Sequence, residues 1–345
     1  MLTNDLNYTK KILEKLLNTP SPSGYCHQIM NVIEDEVKAL GYDFERTQKG
    51  NGLVTINPEI EGDALLISAH LDTLGAMVRS VKDNGMIRFT CVGGFTMESV
   101  EGEYCNIHTR DGRTITGTIL NTKPSVHVFA EARTQKRDED VMEIRLDKDV
   151  SSKEDTEKLG IQVGDYISFD PRVVFTEDGF IKSRHLDDKA GVATIMGALA
   201  YIKTKELQLP KLTKVMFSTF EEVGHGSSYI PSGIDTLLAI DMGAIGDDLS
   251  CSEKDVSICV KDSSGPYDYQ MVGRLIEISK SQELKYALDV YPHYGSDASA
   301  ALRGGNNIKT ALIGPGIHAS HTMERTHETA LLGTLNLLLG YISEI

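Results

Sequence analysis

The sequence predicts an α/β fold interrupted by an inserted all-β domain. Helical and extended patterns alternate up to His70 and resume from Leu186, whereas from about Gly75 to Gly179 the chain breaks into short extended runs separated by turn dipeptides. Leu6, Ile12, Leu13, Leu16 and Leu17 recur at helical spacing until Pro20 and Pro22 stop them, and Ile29, Val32, Ile33, Val37 and Leu40 form a second amphipathic helix ending at Gly41. Tyr42–Arg46 and Leu53–Ile56 flank Asn51-Gly52 and read as a hairpin, followed by a continuous apolar strand from Ala64 to Ala69 that ends at His70. In the middle region Asn84-Gly85, Gly93-Gly94, Asp111-Gly112 and Gly164-Asp165 separate extended runs, with one short helix near Ser152 to Leu159, the texture of a β-barrel or sandwich. From Leu186 the pattern gives a helix through Ala190 to Ile202, strands at Lys214–Phe220 and Leu237–Asp241, and a helix from Tyr269 to about Ser281.

The chain has 345 residues, 40% hydrophobic, enough for a large domain plus a smaller one. A formal net charge of -15 and the lack of a basic, aromatic-laced block argue against nucleic acid. Five cysteines without a C-x-x-C fit neither a disulfide framework nor a thiolate zinc knuckle and point to a reducing, cytoplasmic setting. Met1–Lys10 has no apolar signal core, and no segment is suited to spanning a membrane.

Metal-type side chains recur where these α/β elements end, the edge at which open sheets place their sites. In His70-Leu-Asp72 the histidine can face a metal while Asp72 supports it, although a buried histidine satisfied by a carboxylate would look the same. In Arg184-His-Leu-Asp-Asp-Lys-Ala-Gly191, Asp188 reads as a helix cap, while Asp187 just before the helix has two oxygens with which to bridge two ions. Glu221 and Glu222 follow the apolar run Val215–Phe220 at a strand end, and as neighbours on an extended segment they face opposite sides, one toward a metal and the other toward a water. Asp241 ends an apolar strand, and the glycine-rich loop from Gly314 to Glu324 offers His318 and His321, one of them a ligand. Counted together, His70, Asp187, Glu222, Asp241 and His321 supply two imidazoles and three carboxylates, a donor set for two zinc or cobalt ions. Such a pair, ~3.5–4 Å apart, holds a carbonyl and lowers the pKa of a water, and Glu221 is placed to take the proton.

These segments resemble the dinuclear metalloaminopeptidases of peptidase family M forty-two, which includes glutamyl and deblocking aminopeptidases and the tetrahedral TET particles. The matching stretches are SAHLDTLGAMV, RHLDDKAGVA, TFEEVGHGSS, AIDMG and HASHTMERTH, spread over nearly the whole chain. The resemblance implies that Asp187 bridges the ions, His70 and Asp241 complete one site, Glu222 and His321 the other, Glu221 is the base, and Asp72 supports His70. It implies a phosphorylase/hydrolase-like catalytic domain with a mixed, parallel-rich sheet over 1–74 and 180–345, and a small β-barrel over 75–179 that serves dimerisation. It further implies hydrolysis of short peptides with a free N-terminus and homo-oligomers in which dimers build a dodecamer. Thr73 where relatives have H-x-D-E, Gly316-Ile-His318 in place of an arginine-rich turn, and the plain Gly224–Ser228 depart from the pattern. They lie where substrate side chains would be read, with His225 and His318 as candidate pocket residues. Gly295-Ser-Asp-Ala298 and Ser264–Asp268 resemble the family's substrate-proximal loops.

Three other functions share parts of this pattern. A dinuclear deacylase or carboxypeptidase could use the same metal core, but no carboxylate-binding arginine cluster is evident. A glycosidase would need carboxylates opposed across a sugar bond, and the chain has no Trp to stack on sugars. A non-enzymatic binding module would be expected to have lost a ligand or the base.

Overall fold

The computed structural model describes residues 6–345; the expectation for the N-terminus falls partly on residues outside these. The chain divides into two compact units, Met1–Asp72 with Arg172–Ile345, and Thr73–Pro171.

The first unit is built on a ten-stranded mixed sheet. Its centre runs in the order Gly52–Thr55, Thr213–Ser218, Ala64–His70, Ile234–Ile240, Lys309–Ile317, Val256–Asp262. The four strands from Thr213–Ser218 to Lys309–Ile317 are parallel, flanked by antiparallel neighbours. Every residue of Ala64–His70 is buried, which explains why it reads as an unbroken apolar run: a strand covered on both faces has no polar side to show. The helix Leu186–Lys205 is buried around nearly its whole circumference, as an all-round apolar sequence requires. Asp268 caps Tyr269–Ser281 by accepting from the N–H groups of Gln270 and Met271. Among the described residues no helix is long and apolar enough to cross a membrane, and all five cysteines are free thiols.

The second unit is a closed six-stranded antiparallel barrel, ordered Gly75–Val81, Ile87–Val92, Met142–Leu146, Thr114–Asn121, Tyr104–His108, Tyr166–Phe169. The first and last of these strands pair, Ala76 opposite Ile167, and so close it. It has its own core, including Phe89, Ile107, Ile119, Ile144 and Ile167. The helix Lys153–Lys158 is capped by the Ser152 side chain. Residues 172–179 do not join it. Val174–Phe175 and Phe180–Ser183 instead form a three-stranded sheet with Glu324–His327 in the first unit.

Three local expectations fail. The hairpin turns at Thr47–Gly50, with Gly50 at φ +97°, and not at Asn51-Gly52. Asn51 is buried, its Oδ1 accepting from the Thr219 N–H and hydroxyl at 3.0 Å each, and Gly52 begins the strand. The predicted strand to Phe220 ends at Ser218, because Phe220 adopts a left-handed φ of 66°. The glycine-rich stretch from Gly314 begins within the strand Lys309–Ile317, where the missing side chains admit a neighbouring backbone.

Candidate active site

Parallel strands bring their carboxyl ends to one edge of the sheet. His70 ends its strand directly beside Ser218, the last residue of the next, so the turn bearing Glu221 and Glu222 stands next to the imidazole. Asp241 follows Ile234–Ile240, its N–H donating to the Ile313 carbonyl. Asp187 sits at the opening of the long helix, joined to Asp188 by a cis peptide bond. His321 lies in a turn after Lys309–Ile317, at φ 65°.

Asp187 is central. Its Oδ1 is 3.1 Å from His70 Nε2, and its Oδ2 is 3.4 Å from His321 Nε2. His321 Nε2 is also 3.4 Å from Glu222 Oε2, and Glu221 Oε2 is 3.8 Å from His70 Nε2. Donor atoms of His70, Asp187 and Glu222 lie within 4.8 Å of one another, as do those of His70, Asp188 and Asp241. Asp188 has its oxygens on backbone N–H groups, Oδ1 on Gly191 and Oδ2 on His70, each at 3.2 Å. That is the cap expected of it, and it pins the imidazole's backbone as well. Glu221 and Glu222 occupy a turn and not an extended segment, so the turn at Phe220, and not strand alternation, sets where each carboxylate goes.

Asp72 has a different task from the one its spacing implied. His70 Nδ1 meets the Asp72 backbone oxygen at 2.9 Å, while the carboxylate stands 3.7 Å away. The carboxylate instead accepts from the N–H groups of Glu221 at 3.1 Å and Glu222 at 3.2 Å, and from the Ser23 hydroxyl. Glu324 gave no sequence signal beyond its place at the end of a motif, yet this buried carboxylate accepts from the N–H groups of Asp187 and His321, both at 3.0 Å. Asp297 accepts from the Ser218 hydroxyl and, at 2.9 Å, the Ser227 N–H, bracing both ends of the glutamate turn. His225 stacks on Phe220, and the His318 backbone bridges to Arg325; neither joins the lining of the pocket.

The pocket over this cluster has a volume of about 390 Å³. Asp187, Glu221, Glu222 and Asp241 contribute carboxylates to its lining, with Tyr294 and Arg303 among the other residues. Burial, then Asp187, pushes the Glu222 carboxyl up to about 8 and the Asp241 carboxyl up to about 7. Burial, reinforced by neighbouring carboxylates, raises Glu221 well above its ordinary value. Burial works in the same direction on Asp187, but the His321 and His70 imidazoles hold it below the usual range. So dense a set of buried carboxylates needs protons or a cation to stand so close. Imidazole and carboxylate donors converging within 4.8 Å fit a divalent transition metal.

A mixed, parallel-rich sheet with a cluster of imidazoles and carboxylates at its carboxyl edge is the arrangement of an α/β hydrolytic enzyme. The chain belongs to the M42 glutamyl aminopeptidase family, whose model matches residues 50–337. It is thus a peptide-bond hydrolase of the aminopeptidase class. It is 46% identical over 335 residues to "Putative aminopeptidase YhfE" of Bacillus subtilis (strain 168), covering 97% of each chain. It is 24% identical to the lysyl aminopeptidase of Pyrococcus furiosus, over 67% of this chain and 65% of that one. The solved TET1 peptidase of Pyrococcus horikoshii, described as able to assemble into a tetrahedron or a large octahedral shell, superposes with a TM-score of 0.86 at 24% identity, covering 98% of this chain and all of that one.

Proposed function

We propose that this aminopeptidase is dinuclear and removes N-terminal residues from short peptides, with Glu221 as the general base. The observation that carries the reading is that the two oxygens of Asp187 face two different imidazoles, 3.1 Å from His70 and 3.4 Å from His321. One carboxylate is thereby shared between two donor groups. In this reading His70 and Asp241 would hold one ion and Glu222 and His321 the other, with Asp187 available to both. When bound, two divalent ions, zinc or cobalt by donor type, would polarise the scissile carbonyl and acidify a water.

The chain's own residues do the rest. Glu221 lines the pocket beside His70 with a carboxylate whose proton affinity burial has raised, suited to take a proton and pass it to the leaving amine. Asp72 holds the backbone of both glutamates, and Glu324 that of Asp187 and His321. A carboxylate-rich pocket favours a free α-amino group on the substrate. The barrel unit would serve dimerisation, with dimers building a larger homo-oligomer; the Pyrococcus horikoshii relative is described as assembling into a tetrahedron or a large octahedral shell, and the free thiols fit a cytoplasmic setting. Chelation should abolish hydrolysis of aminoacyl-p-nitroanilides, and added Co²⁺ or Zn²⁺ should restore it; activity indifferent to chelators would sink the model.

A further inference from the structure

We infer that Arg303 is a specificity-determining residue, and that its guanidinium receives a carboxylate carried by the substrate. This rests on the aminopeptidase reading of the pocket. The carboxylate has two possible sources, the side chain of an acidic N-terminal residue or the C-terminus of a dipeptide.

Arg303 lines the catalytic pocket from the last turn of the helix Asp297–Arg303. That helix is fixed relative to the glutamate turn, since its first residue, Asp297, is the group that braces Ser218 and Ser227, and Asp297 to Ala301 are all buried. The guanidinium is tethered as well. Its Nη1 donates to the Ser264 hydroxyl at 2.7 Å, and the Ser264 N–H in turn donates to Asp262 Oδ1 at 2.7 Å. Its Nη2 lies 4.0 Å from where a Cβ on Gly295 would stand, so the bare backbone of that pocket residue leaves the approach open.

The guanidinium has no acidic partner. Among the described residues no carboxylate lies within 4.0 Å of it, although the chain carries 50 acidic against 35 basic residues. Arg46, Arg113, Arg137, Arg274 and Arg325 each have such a partner. A guanidinium offers five N–H donors in a planar fork matched to a carboxylate, and Ser264 takes only one. The remaining donors are available to a ligand in a pocket whose other charged groups are mostly carboxylates. An N-terminal aminoacyl group with an anionic end presents its amine and its carboxylate at opposite ends, matching a site with acidic groups and a single unpaired fork.

The test compares kcat/KM for the metal-loaded full chain on two substrate pairs, Glu- against Gln-p-nitroanilide and Leu-Leu against Leu-Leu-amide. The carboxylate member of one pair should be favoured about tenfold or more, the scale of a charge-assisted hydrogen bond. In Arg303→Gln that ratio should fall toward one, chiefly through KM, and Arg303→Lys should restore part of it. Preference within the first pair assigns the carboxylate to the side chain, and within the second to the C-terminus. No preference in either pair, or a preference that survives Arg303→Gln, overturns the inference. If none of the four is hydrolysed, the proposed action of this pocket on such short substrates fails. Calorimetric binding of glutamate against glutamine, and of the dipeptide against its amide, then decides the role of Arg303, equal affinities within both pairs refuting it.

Discussion

Asp72, Glu324 and Asp297 show how the site's residues are held: each is a buried carboxylate that accepts from the backbone or a hydroxyl of a segment bearing site residues. Side chains fixed in this way leave Glu221 free for proton transfer. Glu221→Gln should retain metal and fold while losing kcat by a factor on the order of 10² to 10⁴, the usual contribution of a general base; a near-normal rate with full metal content refutes the role. The prospective ligands were legible in the sequence because metal chemistry admits few side-chain types, and His70, Asp187, Glu222, Asp241 and His321 each sat in a recognisable segment near an element boundary. Their supports were not. A glutamate that accepts two N–H bonds looks like any other glutamate, and the partners of Glu324 include Asp187, far away in the chain. Arg303 was missed for the same reason, since its part in the pocket depends on contacts with Ser264 and Gly295 that only folding creates.

At the scale of elements, Lys309–Ile317 is the strand on which the site depends most. A Cβ on Gly314 would stand 1.7 Å from the Asp241 carbonyl oxygen and 2.6 Å from its carbon, and backbone cannot move aside as a flexible side chain can. Gly314→Ala should therefore destabilise the fold by about 1–3 kcal/mol or more, as overpacking does. It should also weaken metal retention by displacing Asp241. Denaturant unfolding with metal analysis checks both, and an unchanged midpoint would refute the packing argument. The same strand shows where sequence reading runs out. Glycines argue for a loop on local grounds, and nothing nearby reveals that they are small in order to admit a neighbouring strand end. The Asn51-Gly52 turn failed for the related reason that Asn51 is committed to Thr219, a distant partner. Elements specified by their own periodicity, such as Tyr269–Ser281 and Ala64–His70, were legible throughout.

For the whole molecule, the crowded carboxylates set a pH dependence. In the metal-free fold Glu222 and Glu324 are raised from 4.5 to about 8 and Asp241 from 3.8 to about 7, burial being the first cause in each case. The folded state thus keeps protons that the unfolded chain releases, so this stability is complete below the unfolded values and is lost as pH rises toward 7 to 8. His70, raised by Asp187 against the effect of burial, acts with the same sign; His185, lowered by burial, opposes it, and buried Lys189 does so only above about 7. The Tm of the chelated protein should therefore fall between about pH 5 and pH 7, and a saturating divalent ion, displacing those protons, should flatten the slope and raise the Tm most at the upper end. A metal-free Tm that climbs over that interval contradicts the account.

The pairing of the barrel's first and last strands, Ala76 opposite Ile167, also bears on how the chain finds its fold. His70 and Asp187 are separated in sequence by the entire insertion, and holding them together through a disordered stretch of that length would incur the closure entropy of a long loop. Once folded around its own core, the insertion returns the chain to where it left, and the connection behaves as one of roughly a quarter the length. The difference is about 1 kcal/mol of closure entropy. Independent folding of Thr73–Pro171 would thus act as an entropic clasp, making the union of the two halves of the catalytic sheet a nearly local event.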